Sequence, residues 1–140
     1  MDIGLIGFAA ALGFAAIGSA IGMGSAGMSA VGAWKKCFAT NKPAPFMLVA
    51  FVGAPLTQTI YGFILMNSIR ASEASPVARL AVGVFGGIAM GFSAMFQGKA
   101  GASASDALAE TGKGFTNYIM VVGLIETVAL FTMVFLMGVI

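Results

Sequence analysis

Histidine is absent from these 140 residues, cysteine occurs once, and charged side chains amount to seven basic and five acidic, 9% of the chain. A soluble domain carries about a quarter charged residues, so an ordinary globular enzyme is excluded. The same scarcity excludes a disordered chain and a nucleic-acid binder, and the lone Cys37 excludes a disulfide-rich secreted domain. Cys37 can form no internal bridge, and a zinc, copper or haem site built from nitrogen and sulfur would find almost no ligands. A net charge of +2 points to no polyanionic partner. What fills the space is 59% hydrophobic residue, with 20 glycines and 10 methionines. That is the composition of an integral membrane protein.

The few charges act as punctuation. Lys35, Lys36 and Lys42, closed by Pro43 and Pro45, form one polar break; Arg70, Glu73, Pro76 and Arg79 form a second; Asp106, Glu110 and Lys113, with Gly112 and Gly114, form a third. Between them lie four apolar stretches, roughly 3–34, 46–69, 80–105 and 115–140, each long enough for the ~20 residues of a spanning helix. The apolar runs do not alternate, which argues against strands. The chain is therefore read as an all-α membrane protein with four transmembrane helices. The first stretch has no basic leader and exceeds the apolar core of a signal peptide. Lysine is concentrated in the first and third breaks, so these loops are expected in the cytoplasm. Both termini are then non-cytoplasmic, in a multi-pass protein of the cell membrane.

The pattern reads as a duplicated helical hairpin, 1–70 and 71–140. Leu56-Thr57-Gln58-Thr59-Ile60 aligns with Leu124-Ile125-Glu126-Thr127-Val128 at an offset of 68, and Ile21-Gly22 with Gln97-Gly98 at an offset of 76. Each hairpin starts on the same side, which makes the repeat parallel rather than inverted. Gly18 with Gly22, and Gly83, Gly87 and Gly91, place small residues one turn apart, where backbones can approach closely. Gly22-Met-Gly24-Ser-Ala-Gly27 is formally a dinucleotide fingerprint, but it lacks the preceding strand and the later acid. The first and third helices are expected to form an inner layer, with the second and fourth, richer in large residues, toward lipid.

Glu126 is the outlier. It is the sole charge in the run Ile119–Ile140, near the bilayer centre, where an acid costs at least ~2.5–3.5 kcal/mol and needs a partner or a proton. Gln58 lies at similar depth, with Thr57 before it, Tyr61 one turn later on the same face, and Pro55 one turn earlier freeing backbone carbonyls. Gln97 reaches that level if the third helix runs on past the membrane surface. Each glutamine alone could be interhelical glue. Together, a carboxylate, two amide oxygens, a hydroxyl and a free carbonyl make an all-oxygen site with one formal negative charge. Such a site suits one monovalent hard cation or one proton, and lacks the charge of calcium or magnesium sites. Lys99 either snorkels toward the cytoplasmic surface or pairs with Glu126.

The combination of Gly18-Ser-Ala-Ile-Gly22-Met-Gly24, Pro55-Leu-Thr57-Gln58-Thr-Ile-Tyr61-Gly62, Gln97-Gly98-Lys99 and Glu126-Thr127 resembles the four-helix proteolipid, or K subunit, of bacterial V-type (A/V-type) ATPases. The resemblance implies a non-catalytic subunit that forms a membrane ring of identical copies. That ring would turn against a stator subunit with an essential arginine and would join central-stalk subunits to a soluble ATP-handling head. Sodium-binding members of the family suggest the roles. Glu126 would be the essential carboxylate, Thr57, Gln58 and Gln97 would supply side-chain oxygens and Ala54 its backbone carbonyl, with Tyr61 holding Glu126. The implied cargo is Na+, with H+ as the alternative, and no organic cofactor. Ala54 and Leu56 depart from the family's preference for a bulkier residue followed by a small one, and Ile21 replaces a polar residue sometimes seen there.

Solvation supplies the mechanism. Facing lipid, Glu126 must be neutral, through a proton or a bound cation. One carboxylate per two hairpins predicts one ion per chain, since Gln58 holds the matching place in the first hairpin. A small four-helix cation or drug antiporter is the main competing class, but those proteins carry their glutamate in the first helix. A purely structural tetraspan would not need Gln58, Gln97 and Glu126 at one depth.

Overall fold

The computed structural model describes residues 2–140, and among them the chain is helical apart from short connections, with no strand. Helix α1 spans Gly4–Ala39, α2 Leu48–Gly53, α3 Thr57–Ala71, α4 Pro76–Thr111 and α5 Phe115–Met137. A 3-10 turn, Ala54–Leu56, joins α2 to α3, so these two form one span. The break falls where Pro55 has no N–H to donate and its ring opposes continuous α-helix. Four spans are thus long and apolar enough to cross a membrane.

The two long helices are longer than the apolar stretches. α1 continues through Lys35 and Lys36 to Ala39, and α4 runs from Pro76 through Asp106 and Glu110 to Thr111. At about 1.5 Å per residue, 36 residues reach about 54 Å, far beyond a ~30 Å hydrocarbon core. Alanine-rich sequence carries both helices past the point where hydropathy fails, and charges there need no loop. The third polar break therefore contracts to Gly112–Gly114. Gly112 adopts φ 65° to end α4, a left-handed conformation that glycine reaches without steric cost. At the other end Ser75 caps α4 by accepting from the Ala78 N–H, and Pro76 occupies the first turn.

α1 and α4 form the most extensive interhelical contact, backbone against backbone. A Cβ on Gly98 would lie 2.0 Å from the Gly22 carbonyl oxygen, and one on Gly18 2.0 Å from that of Gly91. Gly83 lies on Gly7 in the same way. The helices run parallel, and Gly7–Gly83 and Gly22–Gly98 share the offset of 76 seen between Ile21-Gly22 and Gln97-Gly98. An ion pair closes each end of the contact: Asp2 with Arg79 at 2.7 Å, and Lys36 with Glu110. Ser29 adds a bond from its hydroxyl to the Ala102 carbonyl at 2.7 Å. The α2–α3 span packs on α1 and α5 on α4, leaving large apolar side chains such as Phe63, Leu124, Phe131 and Phe135 outward.

Two apolar clusters form inside. One gathers Ala11, Ala15, Leu65, Met90, Ala129 and Met133; the other gathers Ala30, Leu48, Phe51, Ala104, Leu108 and Val122. The buried polar side chains Gln58, Ser93 and Gln97 lie between them.

A carboxylate and two amides between three spans

Glu126 occupies the middle of α5 and is partly buried. One carboxylate oxygen accepts from the Tyr61 hydroxyl on α3 at 2.8 Å, and the other from Gln97 Nε2 on α4 at 2.9 Å. Gln97 is fully buried, and its Nε2 also donates to the Val122 carbonyl, one turn before Glu126, at 2.9 Å. That pair of donations fixes the amide, with Oε1 turned toward the second span. There it accepts from Nε2 of Gln58, also fully buried, at 2.9 Å. Gln58 Oε1 in turn faces Thr57 Oγ1 at 3.0 Å, and the same hydroxyl lies 3.0 Å from the Ala54 carbonyl oxygen.

The residues singled out from the sequence therefore meet. Gln97 reaches Glu126 because α4 extends to Thr111, which sets its level. The amides differ from the simplest expectation, in which both oxygens point at the carboxylate: Gln97 presents its nitrogen to Glu126 and its oxygen to Gln58. In this state both glutamines bind spans together. Lys99 does not reach Glu126. Among the described residues the ion pairs are those of Asp2 and Lys36, while Lys99 is exposed with its ammonium 5.0 Å from the centroid of the Phe96 ring.

Ser93 went unnoticed in the sequence. One turn before Gln97 on α4, it donates to the Ile125 carbonyl at 2.8 Å and accepts from Gln58 Nε2 at 3.3 Å. A single serine among glycines reads as a small packing residue. Its i, i+4 relation to Gln97 was the available signal.

Chemically, the second span offers three oxygens, of Ala54, Thr57 and Gln58, with the Thr57 hydroxyl hydrogen able to serve one neighbour at a time. Gln97 Oε1 and the Glu126 carboxylate lie beyond them. This donor set is all oxygen with one carboxylate, which fits a hard monovalent cation and is short of charge for a divalent one.

Residues 80–138, which contain Gln97 and Glu126, match the family of the ATP synthase C subunit. The chain is also 33% identical over 132 residues to the A-type ATP synthase subunit K of Methanocaldococcus jannaschii. That alignment takes in 92% of this chain and 57% of the relative, so the chain spans little more than half of the relative's length. With four membrane-capable helices and a mid-span carboxylate held by its neighbours, the chain belongs to the c/K proteolipid family of ATP synthase membrane subunits.

Proposed function

We propose that this chain is a rotor-ring subunit of an A/V-type rotary ATPase or ATP synthase that carries one sodium ion per copy on Glu126. Identical copies would form the ring, in lipid, against a stator subunit that presents an arginine and beneath central-stalk subunits. The chain would itself catalyse nothing. Thr57 Oγ1, Gln58 Oε1, Gln97 Oε1 and the Ala54 carbonyl would ligate the ion with Glu126, and Tyr61 would steady the carboxylate. Residues 1–70 and 71–140 would be the two repeated hairpins, with both termini non-cytoplasmic.

The observation that carries the reading is the oxygen cluster beside Glu126. Thr57 Oγ1 stands 3.0 Å from both the Ala54 carbonyl and Gln58 Oε1, and one hydroxyl hydrogen cannot satisfy both. A cation would replace the donors that Thr57 and Gln58 now supply. A proton on Glu126 would need none of these oxygens. In the ion-loaded state the carboxylate and cation sum to zero charge, as passage past lipid requires. At the stator, the arginine would compete with the ion for Glu126.

A carbodiimide that attacks protonated carboxyl groups in apolar surroundings tests this on the detergent-solubilised assembly. Modification of Glu126 should slow as sodium is added at fixed pH, with potassium at equal ionic strength far less protective. Equal protection by the two ions, or none, would make the proton the cargo and leave the glutamines as interhelical glue.

A further inference from the structure

We infer that Ser93 is a positioning residue for ion binding: it supplies the acceptor that Gln58 Nε2 must use once a cation occupies Gln97 Oε1. This rests on the sodium reading above and on a count of hydrogens. Ser93 has one hydroxyl hydrogen, and it is committed to the Ile125 carbonyl at 2.8 Å. Toward Gln58 the hydroxyl can only accept, so it selects the amide nitrogen and turns Oε1 toward Thr57 and Ala54.

Gln58 Nε2 now has two acceptors, Gln97 Oε1 at 2.9 Å and Ser93 Oγ at 3.3 Å. A cation that takes Gln97 Oε1 removes the first. Gln58 is fully buried and Ser93 nearly so, so water cannot fill the place, and an unpaired buried N–H is costly. Ser93 is thus the remaining partner in the loaded state and a secondary one in the unloaded state. Its removal should weaken ion binding more than it weakens the fold. The hydroxyl touches neither Glu126 nor Tyr61 by hydrogen bond, so protonation of the carboxylate should proceed as before.

The test compares wild type with Ser93→Ala as the purified assembly in detergent. Two curves are taken of carbodiimide modification of Glu126: against sodium at fixed pH, and against pH without sodium. Half-protection of Ser93→Ala should demand about tenfold more sodium, equivalent to about 1.4 kcal/mol, with the pH curve unmoved. In a Gln58→Ala background the same substitution should add no further sodium shift. An unchanged sodium requirement, or sodium and pH curves that move together as a merely structural defect would make them, overturns the inference. If Ser93→Ala does not assemble, Ser93→Cys, which keeps the shape with a poorer acceptor, must show the same split in smaller degree; its absence is equally fatal. Failure of sodium to protect the wild type overturns the parent reading and this one with it, and that result is seen before any variant is made.

Discussion

Gln97→Met keeps the length of a fully buried side chain while deleting both of its polar ends. Glu126 loses one of two donors, the Val122 carbonyl loses its side-chain partner, and Gln58 Nε2 retains only Ser93. Each buried group left unpaired costs about 1–3 kcal/mol, so the unliganded protein should melt lower. The informative quantity is what sodium then restores. For the wild type at a hundred times its dissociation constant, binding adds about 2.7 kcal/mol. Loss of a proposed ligand oxygen and of a bond to a carboxylate is worth about 1.5–3 kcal/mol, which weakens binding roughly ten- to a hundredfold. At the same sodium concentration the gain then shrinks to between about 1.4 and 0.4 kcal/mol. Thermal denaturation of the detergent-solubilised assembly, scanned with and without sodium, separates the two effects. A sodium-dependent gain as large in Gln97→Met as in wild type would refute the assignment of Gln97, whatever happened to the baseline.

Glu126→Gln should assemble, since the amide keeps the size and can still accept from Tyr61, yet ATP-driven ion transport in reconstituted vesicles should vanish; Glu73→Gln, in an exposed turn, should leave it intact. Cysteines placed singly at Lys42 and Gly112, with Cys37 replaced, should label from the cytoplasmic side, and one at Ser72 from the opposite side; the reverse pattern would invert the topology. Arg79 holds the Asp2 carboxyl below its ordinary value of 3.8 through a hydrogen bond, with help from the Gly4 N–H. The pair therefore contributes above that value and is lost as pH falls through the lowered one. Asp2→Asn should accordingly melt below wild type at pH 6, the gap closing in strongly acid buffer; a gap that persists there would deny the ion pair its role.

The spans could be read from sequence because the bilayer imposes a length and an aversion to charge. Glu126 was conspicuous for the same reason. Helix ends obey other rules. Lys35, Lys36, Asp106 and Glu110 look like loop residues to a hydropathy argument, yet α1 and α4 continue through them because Ala33, Ala104 and Leu108 still have a partner helix to pack on. Amide orientation was illegible for a similar reason. Which end of Gln97 faces Glu126 depends on the Val122 carbonyl, a backbone group that no side-chain pattern reports. Lys99 posed a directional question of the same kind, settled by the Phe96 face.

Gln58 and Glu126 hold matching places in the two hairpins, and the difference between them bears on what the site could carry. Both are tied to Gln97, one to its oxygen and the other to its nitrogen, so a second carboxylate at position 58 would stand one amide away from the first. Two like charges a few ångströms apart repel by about 4 kcal/mol at an effective dielectric near 20. A monovalent ion bound between them would leave a net negative charge to be moved past lipid, where an uncompensated charge is expensive. An amide avoids both costs while still presenting an oxygen toward Thr57 and Ala54. It also brings an N–H that has to be placed, and Ser93 and Gln97 are where it goes. In the proposed reading, then, the first hairpin has given up a charge and taken on the ordering of ligands. The membrane potential acts on one charge per four helices, about 2.3 kcal/mol per 100 mV.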